Sequence, residues 1–276
     1  MSVEFLHAVE EVKIDYSSIN RAFSKQAAHY DEDDLANPIL QSWRKQVYDH
    51  VQGFLKPSSH MLELNSGTGI DAIYFVRKGH HVHCTDLSDG MIRQIQKKIE
   101  LHSLQKTLSC QQCSFDHLAA VEGKYDYVFS NFGGLNCIED LTKVIGELTR
   151  VVKPGGVVTW VIMPPVCPWE ISWLIKGQFK NAFRRLHKNE VIAHLEGEYF
   201  KTYYHSLGKL KRVFGKNFRL LSCVGLGALS PPPSEIDFPQ KHPGLYKVLN
   251  RLDKKVVNHF PFNRWADHII VTFEKA

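Results

Sequence analysis

A short apolar strand that runs straight into a glycine-containing turn and a helix, followed about twenty residues later by an acid closing a second strand, leaves a chain few folds to choose from. Here the feature is His60-Met61-Leu62-Glu63-Leu64-Asn65-Ser66-Gly67-Thr68-Gly69-Ile70-Asp71, then His81-Val82-His83-Cys84-Thr85-Asp86. Glycines 67 and 69 let a ligand approach the main chain closely, and the helix that follows presents unpaired N–H groups at its start. Asp86 stands 21 residues after Asn65, close to the spacing of about 20 at which nucleotide-binding folds set a carboxylate on ribose hydroxyls. A nucleoside-containing cofactor is therefore expected. Nicotinamide adenine dinucleotide and S-adenosylmethionine both fit at this point, since Gly67-Thr68-Gly69-Ile70-Asp71-Ala72 also reads as G-x-G-x-x-A.

Beyond this stretch, strand and helix signals alternate, the pattern of a parallel sheet covered on both faces. Strands are predicted over 60–64, 81–85, 107–112, 125–130 and 156–163, and helices over 70–78, 88–103 and 139–152. Ser88 is the N-cap of the second of these helices, and Glu139 and Asp140 open the third. Two helices precede the sheet: 18–29, capped by Ser18 and ended by Tyr30-Asp31-Glu32-Asp33-Asp34, and a second that starts at Pro38 after Asn37 and stops between Gly53 and Pro57. Residues 218–224 and 268–273 complete seven strands, and the last alternates as an antiparallel strand does; a helix near 245–258 lies between them. The expected fold is α/β, Rossmann-like and doubly wound, with a mostly parallel seven-stranded sheet whose last strand is antiparallel, N-terminal helices, and a lid inserted between strands five and six. Its parts are an N-terminal cap (1–57), a cofactor-binding core (58–163), the insertion (164–215) and a final segment that completes the core (216–276), together one elaborated domain.

The 276 residues, 43% hydrophobic and 23% charged, suffice for a full core. No apolar run reaches the roughly 18 residues that span a bilayer, and the start carries Glu4, Glu10, Glu11 and Asp15 where a secretory signal is basic and then apolar, so the expected compartment is the cytoplasm. Six scattered cysteines are expected as reduced thiols. Cys110 and Cys113 form a lone C-x-x-C, and His80, His81 and His83 beside Cys84 belong to a strand and its approach; no metal is expected at either place. A net charge of +5 with dispersed basic residues does not call for nucleic acid.

Leu62-Glu63-Leu64-Asn65-Ser66-Gly67-Thr68-Gly69, Thr85-Asp86-Leu87-Ser88, Tyr125-Asp126-Tyr127-Val128-Phe129-Ser130-Asn131-Phe132-Gly133 and Val152-Lys153-Pro154-Gly155-Gly156, in this order and spacing, resemble the class I S-adenosylmethionine-dependent methyltransferases. Ala27-Ala28-His29-Tyr30-Asp31 resembles the entry helix of the small-molecule branch that includes quinone-biosynthesis and biotin-pathway enzymes. The resemblance covers about residues 20–163 and the last two strands. It implies that Asn65, Ser66, Gly67, Thr68 and Gly69, after Leu64, line the methionine and ribose of S-adenosylmethionine, with Glu63 supporting the amino group. Asp86 then holds the ribose hydroxyls, Leu87 and Met91 pack on the adenine, and Ser130, Asn131 and Phe132 lie under the methionyl chain. Tyr30 and Arg44 are candidates for the cofactor's carboxylate. Two positions depart from the pattern: Asn65 replaces the first glycine, and Cys113, with Ser114 and Phe115, stands where many members carry an aspartate that reads the adenine amino group.

Methyl transfer from a sulfonium is an in-line displacement with an activated leaving group, so positioning and exclusion of water carry much of it and a dedicated base is optional. No catalytic residue is nominated; His29, His194 and His205 are the histidines weighed as bases. In the insertion, Ile171, Ile175, Phe179, Ala182 and Leu186 form a helical stripe opposite Lys176, Lys180, Arg184 and Lys188. With Trp169, Trp173, Phe183, Tyr199, Phe200, Tyr203 and Tyr204 it reads as a lid over a planar or apolar acceptor bearing an anionic group, ahead of a homodimer contact or a membrane-surface helix. The alternatives to a methyltransferase are an NAD-dependent oxidoreductase and a non-catalytic S-adenosylmethionine-binding module.

Overall fold

The computed structural model describes residues 16–177, 179–186 and 190–276. The acids at positions 4–15 and Lys188 therefore lie outside the described residues. Three helices come first, α1 (Tyr16–Gln26), α2 (Tyr30–Ala36) and α3 (Pro38–Gln52). There follow β1 (His60–Leu64), α4 (Ile70–Arg77), β2 (His81–Asp86), α5 (Asp89–Leu101), β3 (Leu108–Gln112), β4 (Tyr125–Ser130), α6 (Thr142–Val151) and β5 (Val152–Ile162). After β5 come two one-turn helices, α7 (Pro168–Ile171) and α8 (Phe179–Ala182), a hairpin of β6 (Glu190–Leu195) and β7 (Glu198–Tyr203), and α9 (Leu207–Phe214). The chain closes with β8 (Phe218–Leu226), α10 (Phe238–Lys241), α11 (Pro243–Val256) and β9 (His268–Lys275).

The main sheet has the order β3-β2-β1-β4-β5-β9-β8, parallel except for β9, which runs antiparallel between β5 and β8. Alternation sends Leu62 and Leu64 of β1 to one face and Met61 to the other. Val144, Ile145 and Leu148 of α6 and Leu207, Leu210 and Phe214 of α9 cover the first face. Trp43 and Val47 of α3, Phe75 of α4 and Ile95 of α5 cover the second. This is the expected doubly wound fold. From β1 the chain proceeds outward to β2 and β3, then returns to place β4 on the other side of β1. The carboxyl ends of β1 and β4 thus form the switch point at which open α/β sheets bind ligands.

Local signals fixed several boundaries well. Asn37 caps α3 by accepting from the N–H groups of Ile39 (3.2 Å) and Leu40 (3.1 Å), with Pro38 in the first turn. Ser88 caps α5 through the Met91 N–H (3.1 Å).

Four expectations are corrected. Tyr30 to Asp34 do not end a helix but begin α2, because Asp31, Glu32 and Asp33 occupy its first turn, where the helix dipole favours negative charge. Helix α6 starts at Thr142 instead of 139, since the Asp140 carboxylate accepts from the Thr142 N–H (2.9 Å) and hydroxyl (2.6 Å) and forms the turn before it. The continuous amphipathic helix expected over 171–186 is broken into short pieces at Gly177, whose φ of 68° ends the preceding 3-10 turn. Seven strands become nine among the described residues: β6 and β7 pair through a two-residue turn, Glu196-Gly197, with φ of 51° and 79°. Glu-Gly lacks the Asn or Asp that advertises such a turn.

Candidate functional site

A cleft with about 730 Å³ of empty space, its open mouth included, lies above the carboxyl ends of β1, β2 and β4, where open α/β sheets bind ligands. Nine of the residues singled out from the sequence line it: Tyr30, Asn65, Gly67, Asp86, Leu87, Met91, Phe115, Asn131 and Phe132. They are brought together from α2, the carboxyl ends of β1 to β4 and the first turn of α5.

Asp86 closes β2 with its carboxylate turned back to the glycine turn. It accepts from the Gly67 N–H (2.9 Å) and the Ser88 N–H (2.8 Å). A carboxylate has about four lone-pair directions, so two remain for hydroxyl donors from the cleft. Burial pushes its pKa up to about 6, with the amide donors of Ser88 and Gly67 working in the opposite direction.

Asn65 takes the left-handed conformation, φ 45°, that its replacement of a glycine made a question. Its side chain bridges two strands' ends: Oδ1 accepts from the Ser130 hydroxyl (2.6 Å), and Nδ2 donates to the Asn131 carbonyl (3.1 Å). It lies so close to Gly134 that a Cβ there would sit 2.3 Å from Asn65 Cγ. Gly134→Ala is therefore expected to push Asn65 off Ser130 and Asn131 and to weaken ligand binding in the cleft by about tenfold, the order of one or two hydrogen bonds. Titration with S-adenosylhomocysteine checks this; unchanged affinity would show that the Asn65 bridge is not needed for binding.

Arg44 and Ser130 do not line the cleft, nor do Glu63, Leu64, Ser66, Thr68, Gly69, Cys113 and Ser114. The Arg44 guanidinium is buried between Asp34 and Asp71, with the Phe132 ring 4.9 Å away. Asp71 also accepts from the Tyr48 hydroxyl (2.6 Å) and Asn131 Nδ2 (2.9 Å), so this ion cluster positions the loop after β4. Leu64 is in the core. Burial, then the nearby Asp71 charge, holds the Glu63 carboxyl well above the usual carboxylate range. The Ser66 hydroxyl donates to Glu63 O (2.9 Å). Thr68 is bonded to Asp31, which Lys98 pairs with at 2.5 Å, so α2 is clamped onto the turn; Gly69 starts α4. Cys113 donates to His117 O (3.0 Å), and Ser114 is bonded to Asp116.

Six lining residues were not predicted: Tyr16, Ile19 and Phe23 on α1, and Gly133, Gly134 and Cys137 after β4. Ile19 and Phe23 recur at helical spacing, which the sequence does show, but not that their stripe faces a cleft. Gly90 allows this placement: a Cβ there would meet Ser24 Cα at 2.6 Å, so α1 and α5 pack backbone to backbone. The β6–β7 hairpin backs α1 from outside. Phe200 packs on Phe23 at 5.7 Å between ring centres, and Glu198 pairs with Arg21 and Lys25. Asn136 ties the hairpin to the site by donating to Met163 O (3.0 Å) and Tyr203 O (2.5 Å). The insertion thus reaches the cleft through α1. Its aromatic side chains do not gather on one wall: Trp169 meets Phe238, Trp173 meets Arg184 and Tyr204 meets Arg185.

None of the three histidines weighed as bases lines the cleft. His29 is exposed and paired with Asp33 and Glu196, the Asp33 hydrogen bond raising its pKa. His194 stacks on Tyr199. His205 is buried with Nε2 at Ile138 O (2.9 Å), and burial lowers its pKa to about 4. The histidine beside the site is His268, at the start of β9. Its Nδ1 lies 2.7 Å from Asp267 Oδ1, and its Nε2 lies 3.4 Å from where a Cβ on Gly133 would be. With Nδ1–H donating to Asp267, Nε2 carries the lone pair. Cys167, Glu170 and Asp267 also converge, their ligand atoms within 4.8 Å of one another. Arg185 already bridges that space, 2.7 Å from Glu170 and 2.9 Å from Asp267.

A family model described as a methyltransferase domain matches residues 61–156, the stretch that runs from β1 to the start of β5. The chain is 29% identical over 149 residues to a demethylmenaquinone methyltransferase of Lactobacillus johnsonii, covering 52% of this chain and 60% of that protein. It is 26% identical over 156 residues to a ubiquinone/menaquinone biosynthesis C-methyltransferase of Rickettsia peacockii, covering 52% and 61%. The chain thus spans about three fifths of the length of these curated relatives. Among solved structures, the CcbJ methyltransferase of Streptomyces caelestis superposes with a TM-score of 0.60 at 15% identity, over 92% of this chain and 98% of that one, a likeness of fold.

Proposed function

This chain belongs to the class I S-adenosylmethionine-dependent methyltransferases, and on that premise we propose that it methylates a small, ring-bearing acceptor of the quinone type. The observation that carries this reading is the cleft: the glycine turn, Asp86 and the loop after β4 meet in one cavity, inside the stretch matched by the methyltransferase-domain model. The same match favours a methyltransferase over the dinucleotide oxidoreductase.

The cavity's chemistry fits the cofactor. Asp86 has acceptor capacity left for two ribose hydroxyls, and Leu87, Met91, Phe115, Ile19 and Phe23 offer apolar surface for a planar base. Tyr30, Asn65, Gly67, Asn131 and Phe132 border the remainder, where the methionyl chain would lie. Bound there, S-adenosylmethionine supplies a methyl group activated by the sulfonium charge. Phe132 would keep water away from that group. His268 is not itself in the lining, but it is held by Asp267 with Nε2 beside Gly133, which is, and we assign it the proton of an acceptor hydroxyl as the ring carbon is alkylated. The quinone-type acceptor rests on the names of the two relatives and on the apolar walls of the cleft.

Turnover of S-adenosylmethionine with unsubstituted naphthohydroquinone, kept reduced, tests the reading. Methylated product is expected, and His268→Gln is expected to lower kcat by about a hundredfold, within the usual range for a general base, with KM for the cofactor unchanged. Tight S-adenosylhomocysteine binding without turnover of this or other hydroquinones and phenols would favour a non-catalytic binding module. Equal rates for wild type and His268→Gln would remove the histidine from the mechanism.

A further inference from the structure

Helix α11 keeps one side on the protein and leaves an apolar row outside it. Asp253 is the single buried residue of this helix, its carboxylate accepting from the N–H groups of Leu229 (2.7 Å) and Ser230 (3.0 Å). Tyr246, Leu249 and Asn250 are half-buried on the same side. On the outer surface Leu245, Val248 and Leu252 follow one another at i, i+3 and i+7 and are 52%, 48% and 41% exposed. Alongside run Lys247, Arg251, Lys254 and Lys255, all exposed and without an ion pair among the described residues. Phe260 (70% exposed) and Trp265 (42% exposed) follow directly, their rings 6.2 Å apart. A helix that only meets water has no use for three aliphatic side chains in a row on its exposed face.

We propose that α11 is a membrane-surface helix, with Leu245, Val248 and Leu252 entering the headgroup boundary of an anionic bilayer and the four flanking cations holding lipid phosphates. The arrangement of an apolar row beside a basic row is the one by which amphipathic helices lie in the bilayer interface, and each lysine or arginine near an anionic surface adds to the attraction. Charge selects the occupant. A second copy docking through the same face would set four cations against four, and the one acid of the helix is buried and already used. No helix among the described residues is long and apolar enough to cross a membrane, so the contact is peripheral. Sequence periodicity had pointed to 171–186 for such a helix; Gly177 breaks that segment, whereas α11 runs unbroken for 14 residues.

The test is co-sedimentation of the full chain with phosphatidylcholine vesicles and with vesicles that also contain phosphatidylglycerol. Binding is expected to the anionic vesicles, to fall as salt is raised, and to drop by about tenfold or more in Val248→Asp/Leu252→Asp and in Lys247→Glu/Arg251→Glu. Unchanged thermal unfolding of both variants excludes a folding defect. The proposal is overturned if wild type ignores anionic vesicles, if it binds neutral ones equally well, if neither variant weakens binding, or if sedimentation equilibrium finds a dimer that Val248→Asp/Leu252→Asp dissolves.

Discussion

Asp86→Ala is expected to weaken binding of S-adenosylhomocysteine by at least about a hundredfold. Each hydrogen bond from a hydroxyl to a charged carboxylate contributes about 1.5–3 kcal/mol, and two are removed, with water and the freed Gly67 and Ser88 amides recovering part of the loss. Wild-type affinity should also depend on pH. Burial places the Asp86 carboxyl near pH 6 in the free protein; above that it is ionised and accepts from both hydroxyls, and below it the protonated form binds more weakly, by up to about tenfold per pH unit. Because this native value lies above that of an unfolded aspartate, keeping the carboxylate charged costs folding stability as pH rises through about 6. Hydroxyl donors from a bound ligand offset that cost. Calorimetric titration between pH 5 and pH 8, roughly one to two units either side of the midpoint, checks both effects. A flat wild-type profile, or a variant that binds as tightly as wild type, would take Asp86 out of the ribose site.

The second large effect is on folding. Arg44→Met is expected to lower stability by about 3–5 kcal/mol, measured by urea denaturation, because it leaves Asp34 and Asp71 buried without the cation between them. The loss should appear in ligand binding as well. Asp71 holds Asn131 at 2.9 Å, and the Arg44 guanidinium packs on Phe132, so two lining residues lose their support. A loss below about 1 kcal/mol, the range of an exposed ion pair, would mean that water enters and solvates the two carboxylates. Direct contact of Arg44 with the cofactor carboxylate is a separate matter, and the guanidinium's enclosure by Asp34 and Asp71 leaves it acting through Asn131 and Phe132.

Some of this protein was legible in its sequence because the deciding interactions are short in range. The run from Met61 to Gly69 and the acid at 86 declare their roles through local rules: a strand needs alternation, a tight turn needs residues that tolerate positive φ, and a helix start leaves amides open. Asn37 with Pro38, and Ser88 three residues before Met91, announce helix starts by contacts within one turn. For the same reason Asp86, Leu87 and Met91 were identified together: they share one strand end and the helix it enters.

Tertiary structure alone decided what depends on partners far along the chain. Tyr16, Ile19 and Phe23 form a wall only because Gly90 lets α1 lie against α5 and the hairpin presses it from behind. Arg44, readable as a ligand contact, is instead enclosed by carboxylates 10 and 27 residues away. His268 comes beside Gly133 through the antiparallel insertion of β9 next to β5, a register that no local pattern contains. The sequence showed a helix near 245–258; which of its faces meets protein, and which is left for something else, was fixed by where Asp253 found its amide donors. Local sequence sets backbone conformation within a turn or two. Which surfaces meet is settled by the summed burial of the whole chain, and the far wall of the cleft, the ion cluster behind it and the outward face of α11 are all results of that sum.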